Sequence, residues 1–325
     1  MELSDLNTES KEVDHISKRK RYIKECLEKI VYDQLVGIII EYDYDFSGKL
    51  YKIIDTNDQI YSISTLSDYK IVICSHGNIF KILDIDTNEY TPITHKHRGI
   101  YRAVTSPNRN IITIPSHIGT IDVYDRNHNC IMQILEKRLI FYINCLSDGR
   151  IVTSAATLYK NCVTIWNPNN GKPEIEIETN SLIHCIVELT DQLLVGGDDE
   201  GNVKIWNSIT GELKRTLIGH TKTVSCIAVH PDGLIVSGSH DSTIIIWDSD
   251  GHCVNTLEGH NKKINSVSIL PNGMILSQSD NRLKLWNPVE GKCILSLKQN
   301  NMTHCIVLKN GLVCVSTDDQ ILVYH

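Results

Sequence analysis

The sequence predicts an all-β protein built from seven repeated units, and two features support this prediction. The first is a short signal of β-branched residues, an aromatic residue or Leu, and then Asp or Asn. Successive copies end 39 to 42 residues apart, at Asp84, Asp125, Asn167, Asn207, Asp248 and Asn287. The second feature is a set of short alternating strand patterns inside each unit, separated by turns rich in Gly, Asn, Asp and Pro.

The fifth unit shows the internal plan most clearly. Its predicted strands cover Val224–Val229, Leu234–Ser239, Thr243–Trp247 and Cys253–Leu257, and polar turns join them. Four antiparallel strands in about 40 residues form one blade of a β-propeller. The sequence therefore predicts a propeller of four-stranded antiparallel blades.

Counting the units gives seven blades, of which the last lacks its own fourth strand. The first three strands of each blade are predicted at about 59–83, 99–124, 139–166, 182–206, 223–247, 263–286 and 302–324. Fourth strands follow six of these sets, whereas the seventh set ends at Tyr324. The segment at about 49–54 has the same Gly-Lys-apolar opening as the fourth strand after Gly291. We therefore expect this N-terminal strand to complete the last blade, so that residues 47–325 form one closed propeller.

The N-terminal residues follow a different pattern. Residues 1–17 are polar and charged, which is typical of a disordered tail. Residues 18–46 predict a helical extension, because their apolar residues follow a helical period. The alternative for 37–42 is a strand, since this stretch resembles the third strand of the fifth unit.

Composition excludes several classes of protein. The 325 residues carry a formal charge of −7 and no basic stripe, so we expect no nucleic acid partner. The sequence contains no run of about 18 apolar residues, so it predicts no membrane span. The eleven cysteines form no CxxC pair, which argues against a zinc site and favours free thiols in a reducing compartment. We expect an intracellular protein, most simply cytoplasmic, with a nuclear location left open.

Two units carry the residues of a known family. Gly219 and His220 precede Trp247 and Asp248, and the sixth unit repeats the pattern with Gly259-His260 and Trp286-Asn287. With the seven-fold period, the chain resembles the WD-repeat β-propeller family over about 49–325. The first, second and seventh units lack the Trp, and the first, third, fourth and seventh lack the Gly-His pair.

The resemblance implies a structural role for residues that otherwise look catalytic. A Ser, a His and an Asp in one unit are the residue types of a hydrolase triad. In WD repeats, however, such residues form a hydrogen-bonded chain with the Trp of the same blade. The set occurs in two units, and an enzyme rarely needs two copies. We therefore expect structural tetrads, no catalytic residue, no metal and no cofactor; the tetrads are His220, Ser237, Asp241 and Trp247, and then His260, Ser277, Asp280 and Trp286.

Alignment of the units predicts a binding face at the ends of the first strands and in the turns between the second and third strands. The first-strand position holds aromatic or imidazole side chains in units one to four, and clustered aromatic residues are favoured binding anchors. An alternative is that these residues only pack at strand ends. Histidines from different units lie too far apart to ligate one metal. The candidate residues are Tyr61, Tyr101, Phe141, His184, His76, His117, Tyr159 and His240.

Two functions are compatible with these patterns, whereas a third, an enzyme with its site at the mouth of the central channel, lacks an evident acid–base pair in the sequence. The first is a non-catalytic scaffold that binds other proteins on the propeller surface. The alternative is a substrate-recognition adaptor of a ubiquitin ligase, because residues 35–42 resemble the last helix of an F-box. Oligomerisation or partner docking through the N-terminal extension is a related alternative.

Overall fold

The described residues form seven separate four-stranded antiparallel sheets. The computed structural model describes residues 46–325, apart from 57, 76–78, 96–98, 116–118 and 190–191. Within this part of the chain the predicted seven-bladed propeller is confirmed. The predicted tail at 1–17 and the helical extension lie outside the described residues, except for Phe46.

The strands follow one another blade by blade. Strand β1 (Leu50–Asp55) precedes the first blade. Blade one contains β2 (Ile60–Thr65), β3 (Lys70–Ser75), β4 (Ile79–Asp84) and β5 (Tyr90–Thr94). Blade two contains β6 (Ile100–Thr105), β7 (Ile111–Pro115), β8 (Thr120–Tyr124) and β9 (Cys130–Leu135). Blade three contains β10 (Leu139–Cys145), β11 (Ile151–Ala156), β12 (Asn161–Trp166) and β13 (Pro173–Thr179).

The second half of the ring repeats this order. Blade four contains β14 (Ile183–Leu189), β15 (Leu193–Asp198), β16 (Asn202–Asn207) and β17 (Leu213–Ile218). Blade five contains β18 (Val224–Val229), β19 (Ile235–Ser239), β20 (Ile244–Trp247) and β21 (Cys253–Leu257). Blade six contains β22 (Ile264–Ile269), β23 (Ile275–Ser279), β24 (Arg282–Asn287) and β25 (Lys292–Lys298). Blade seven contains β26 (His304–Val307), β27 (Val313–Ser316) and β28 (Gln320–Tyr324), and β1 pairs with β28 as its fourth strand.

The burial of each strand follows its place in the blade. Second strands such as β7 and β19 are buried along their whole length, and they read as continuous apolar runs broken only by small residues. Fourth strands such as β9 are mostly exposed and bury one side chain near their end. The first strands of consecutive blades contact one another around the ring, and β2 also contacts β26. The first strand of each blade is therefore innermost and the fourth is outermost.

The hydrophobic core is divided among the seven interfaces between consecutive blades. Each apolar cluster contains residues from two neighbouring blades, and the large aromatic side chain of the later blade often lies in it. Trp247 of blade five, for example, packs with Leu217 and Val203 of blade four. Sheets that pack face to face bury their apolar side chains between them. Each blade is therefore stabilised by both of its neighbours.

The ring closes through the N-terminal strand, as the sequence predicts. Leu50 pairs with Tyr324 and Asp55 pairs with Gln320 in an antiparallel ladder. Ile54 is buried in the cluster between blades seven and one. The backbone N–H of Thr56 donates to the carbonyl of Asp319 at 2.9 Å, and the N–H of Ser47 donates to that of His325 at 3.2 Å.

The described cysteines are free thiols, and several of them are buried in the ring. Burial raises the pKa of Cys74, Cys145 and Cys226 to about 12, so these thiols stay protonated and unreactive at neutral pH. Over the described ranges, the structure holds no apolar helix of membrane-spanning length.

Removal of residues 1–54 should make the protein aggregate or unfold, because β28 would lose its partner and expose an unpaired strand edge. Chains starting at Lys18 or at Phe46 keep β1 and should retain the melting temperature of the full chain. Size-exclusion chromatography and thermal melting by circular dichroism would measure both effects. A folded monomer that starts at Asp55 would contradict the closure of the ring by β1.

Candidate functional site

A β-bulge lies near the start of the innermost strand in six of the seven blades. The register of the first and second strands shifts by one residue at the same place in each blade. A bulge leaves one residue unpaired and changes the direction of its side chain. The bulged residues are Tyr61, Tyr101, Phe141, His184, Ser225 and Asn265. Thr303 takes the matching place in blade seven. We call the face of the ring that carries them the bulge face.

The turns between the second and third strands lie on the same face. Ile60, beside the first bulge, pairs with Ser75 at the end of β3, and the other blades repeat this arrangement. In blade five the N–H of His240 donates to the carbonyl of Thr223 at 2.9 Å, which joins this turn to the turn that enters the blade. The structure therefore brings His240 and Tyr159 to the edge where the bulged residues lie. His76 and His117 lie outside the described residues.

The side chains most available to a partner lie over blades two and three. Tyr101 is 55% exposed, and Tyr159 at the tip of its turn is 94% exposed. Leu135, Leu139 and Leu158 are also exposed in these two blades. Exposed apolar side chains that cluster on one face are typical of interaction surfaces. Tyr61, Phe141, His184 and His240 are only partly exposed.

The imidazoles of blades four and five are held neutral. Burial lowers the pKa of His184, although the nearby carboxylates of Asp199 and Asp198 raise it. Burial also lowers the pKa of His240, and the positive charge of Lys263 lowers it further. Neutral imidazoles donate one hydrogen bond and accept another, so this side of the bulge face is polar without a fixed charge on its histidines.

Blade five brings all four residues of the first expected tetrad together. The indole N–H of Trp247 donates to Ser237 Oγ at 2.8 Å, and Ser237 Oγ lies 2.8 Å from His220 Nε2. His220 Nδ1 lies 3.0 Å from Asp241 Oδ2. Burial lowers the pKa of His220 even though Asp241 raises it. The network therefore fits a neutral imidazole whose Nδ1–H donates a hydrogen bond to Asp241 and whose Nε2 accepts a hydrogen bond from the Ser237 hydroxyl.

This Ser–His–Asp chain is sealed inside the blade. The side chain of His220 is fully buried, and Ser237 is 0% exposed. A nucleophile must reach the atom that it attacks, so a serine without access to solvent does not act on a substrate. The chain instead satisfies the indole N–H, the hydroxyl and the imidazole, which would be costly to bury unpaired.

Blade six forms only part of the second expected tetrad. Trp286 Nε1 and His260 Nε2 each lie 2.7 Å from Ser277 Oγ. Asp280 does not join them: its Oδ1 accepts a hydrogen bond from Asn265 Nδ2 at 2.9 Å. Burial lowers the pKa of His260 to about 4, and its Nδ1 has no hydrogen-bond partner among the described residues.

The missing Asp follows from the length of one turn. In blade five the strands pair at Gly238 and Ile244, whereas in blade six the corresponding pair is Gln278 and Leu283. The turn in blade six is one residue shorter, so no residue occupies the place of Asp241. The sequence carries the same difference, because Asp241 follows Ser237 by four residues and Asp280 follows Ser277 by three.

Blade three uses a charged network that sequence reasoning missed. Glu136 lies in the turn that enters blade three, at the place that His220 takes in blade five. Arg138 Nε donates to Glu136 Oε1 at 2.7 Å, and Arg138 Nη2 donates to Glu176 Oε1 at 2.8 Å. Trp166 Nε1 donates to Thr153 Oγ1 at 2.9 Å. A bidentate Arg–carboxylate pair thus replaces the imidazole network here.

Blade four contains a second network that the sequence did not reveal. Asp198 is fully buried, and its Oδ2 accepts from Lys204 Nζ at 2.9 Å and from Ser181 Oγ at 2.8 Å. Burial alone would raise the pKa of Asp198, but the hydrogen bonds from Lys204, Asn202 and Ser181 lower it below the ordinary value. Both networks stabilise single blades, and Asp198 lies beside the bulged His184 because it pairs with Ile183.

Two other features could in principle hold a ligand. A cavity of about 390 Å³ lies beside the outer strands of blades one and two, and Asp122, Tyr124 and Gln133 are among its lining residues. Asp248, Asp250 and His252 lie close enough to share one metal ion. Asp248 Oδ1 already accepts hydrogen bonds from the backbone N–H groups of Asp250 and His252, each at 2.9 Å. The Asp248 side chain therefore stabilises the turn that contains these residues.

Comparison with known proteins identifies the repeat. The WD domain, G-beta repeat family matches residues 211–248 and 251–287. Each match contains the fourth strand of one blade and the first three strands of the next. The chain therefore contains WD repeats within a seven-bladed β-propeller. The offset between the sequence repeat and the blade is the reason that β1 completes blade seven.

Relatives of this WD-repeat protein match it over limited lengths. Mitochondrial division protein 1 of Aspergillus oryzae is 24% identical over 136 residues, which are 39% of this chain and 20% of that protein. Apoptotic protease-activating factor 1 of Mus musculus is 24% identical over 129 residues, which are 39% of this chain and 10% of that protein. The chain thus spans a fifth or less of these relatives.

A solved structure matches almost the whole ring. The WD40 β-propeller domain of Doa1 aligns with a TM-score of 0.74, over 86% of this chain and 98% of that chain. The sequence identity is 15%, so this likeness shows the fold alone.

Asp241→Ala should lower the free energy of unfolding by about 1–3 kcal/mol, because three donors, including the buried imidazole of His220, would lose their acceptor. Those donors are the N–H groups of Thr221 and Thr243 and the ring of His220. The matched variant Asp280→Ala removes one bond from Asn265 and should cost under about 1 kcal/mol. Urea denaturation of both variants would measure the difference. Equal losses of unfolding free energy in the two variants would contradict a larger structural role for Asp241 than for Asp280.

Proposed function

We propose that this WD-repeat protein is a non-catalytic scaffold that binds another protein through its bulge face. The observation that carries the proposal is the repeated bulge, which occurs at one position of the innermost strand in six blades. Bulges that recur at a binding surface hold side chains in directions that a regular ladder does not allow. Four of the six bulged residues are aromatic or imidazole side chains on consecutive blades.

Rigid aromatic residues support a binding role for this face. Tyr and Phe offer a large contact area at a small loss of side-chain entropy, and they dominate the energy of many interfaces. Tyr101 and Tyr159 are exposed, as are Leu139 and Leu158 of blade three. The innermost strands that hold the bulged residues pack on both neighbouring blades, so little ordering is required when a partner binds.

The burial of the polar networks supports a function without chemistry. His220 and Ser237 lie inside blade five, and the Glu136–Arg138 pair of blade three is also largely buried. Each of these groups has a partner within its own network, which is typical of a structural role. The free thiols fit the intracellular location that we propose for this protein. The adaptor alternative depends on residues 18–45, which lie outside the described part of the chain.

A Tyr101→Ser/Phe141→Ser/Tyr159→Ser variant should lose the proteins that the wild-type chain captures from native lysate, because it removes three anchors of the bulge face. The matched control is Tyr51→Ser/Tyr69→Ser, which changes exposed aromatic residues away from that face. Quantitative mass spectrometry of both pull-downs, with thermal melting to confirm folding, would measure the effect. Equal capture by the triple variant and the control would contradict binding through the bulge face.

A further inference from the structure

An arginine that forms no ion pair with the described residues lies at the centre of the bulge face. Arg102 is on the innermost strand β6, directly after the bulged Tyr101. Its guanidinium carbon lies 3.9 Å from the centre of the Tyr142 ring on the neighbouring blade. The side chain is partly buried. A guanidinium in this position stacks on an aromatic face and keeps its N–H donors free to point elsewhere.

The charge of Arg102 acts on residues from blades all around the ring. Burial raises the pKa of Cys74 on blade one to about 12, and the charge of Arg102 opposes this rise. Burial and, to a smaller extent, the charge of Arg102 lower the pKa of His304 on blade seven to about 4. The same charge acts on Cys185 of blade four. A side chain of blade two reaches all of these groups only if its guanidinium lies near the axis of the propeller.

Arg102 differs from other arginines of the ring in its lack of acceptors. Arg126 donates from Nε to the carbonyl of Asn108 at 2.9 Å. Arg138 and Arg150 each donate to a carboxylate at 2.7 Å. No carboxylate or carbonyl oxygen of the described residues accepts a hydrogen bond from Arg102, and its one specific contact there is the Tyr142 ring. A partly buried cation without an anion is costly unless a ligand supplies one.

Other polar groups that lack a partner among the described residues occupy the same level of the ring. Ser62 follows the bulge in blade one as Arg102 does in blade two, and it is 3% exposed. Its hydroxyl lies against the Cys74 thiol and forms no well-aligned hydrogen bond with the described residues. His304 Nδ1 is likewise buried without a hydrogen-bond partner in the described part of the chain. Both atoms are closed to solvent, so Arg102 is the group of this set that a ligand can reach.

We propose that Arg102 forms an anion-binding site at the axis of the bulge face. The site takes the carboxylate or phosphate oxygens of an acidic side chain on a partner polypeptide. This inference rests on the proposed function, because the aromatic and apolar residues around the axis would contact the same partner. Arg102 then selects one acidic residue of the partner through charge-assisted hydrogen bonds, and stacking on Tyr142 holds the guanidinium in place.

Oriented peptide libraries on the immobilised full-length chain would test the site. Each library has one fixed central residue, which is Asp, Glu, phosphoserine, phosphotyrosine, Gln or Lys, between degenerate flanks. The wild-type chain should bind at least one acidic library about tenfold or more above the Gln library, as expected for hydrogen bonds between charged groups. The Asp and Glu libraries report a carboxylate, and the two phosphorylated libraries report a phosphate.

Three variants separate the proposed role from a structural one. Arg102→Met should lose the acidic preference with at most a small fall in melting temperature, because it breaks no hydrogen bond to the described residues and loses only the stacking on Tyr142. Arg102→Lys should keep part of the preference, and Arg126→Met, on the opposite face of the same blade, should keep all of it. An equal preference in the wild-type and Arg102→Met chains, or no acidic preference in the wild-type chain, would overturn the proposal. If the aromatic triple variant still loses its partners in that case, the anion site fails and the scaffold function stands.

Discussion

The antiparallel pairing of β1 with β28 is the constraint on which the rest of the structure depends. Every blade packs on two neighbours, so an open chain of blades would leave an apolar face uncovered at each end. Pairing between Leu50 and Tyr324, together with burial of Ile54 between blades seven and one, covers both ends at once. Loop-closure entropy rises only slowly with loop length, so joining residues this far apart costs little more than closing a shorter loop. The seven interfaces then form one continuous ring, in which loss of one contact weakens its neighbours.

Within that ring, packing is uniform and polar chemistry varies from blade to blade. All seven interfaces bury aliphatic side chains, and six of them also bury an aromatic side chain. The polar groups near the interblade turns, by contrast, are satisfied in different ways. Blade five uses His220 and Asp241, blade three uses Arg138 and Glu136, and blade four uses Lys204 with two partners. Each solution is local, so a blade can change its network without disturbing the ring. The innermost strands are different, because side chains from several blades meet at the axis. The bulge face is therefore where one substitution alters a surface that all blades share.

The sequence predicted most of the fold because the strands are bounded by turns whose chemistry is local. Gly, Asn, Asp and Pro mark the strand ends to within about two residues, and the Gly-Lys-apolar opening near residue 48 identified the closing strand. The polar sites were harder to predict. Asp280 stands at nearly the right place in the chain, but a turn shorter by one residue directs it to Asn265. The bulges depend on pairing register, which alternation alone does not specify. Arg102 became significant only when strands from four blades met around it, since nothing in its own unit distinguishes it.

Native-state hydrogen exchange followed by mass spectrometry tests the closed ring most directly. Backbone amides that open only on global unfolding exchange together and slowest, whereas frayed segments exchange early. If β1 closes the ring, peptides covering Leu50–Asp55 and Gln320–Tyr324 should be protected to the same degree as those covering β19 and β20 of blade five. Rapid exchange in both terminal strands, with full protection retained in blade five, would contradict a ring that depends on their pairing.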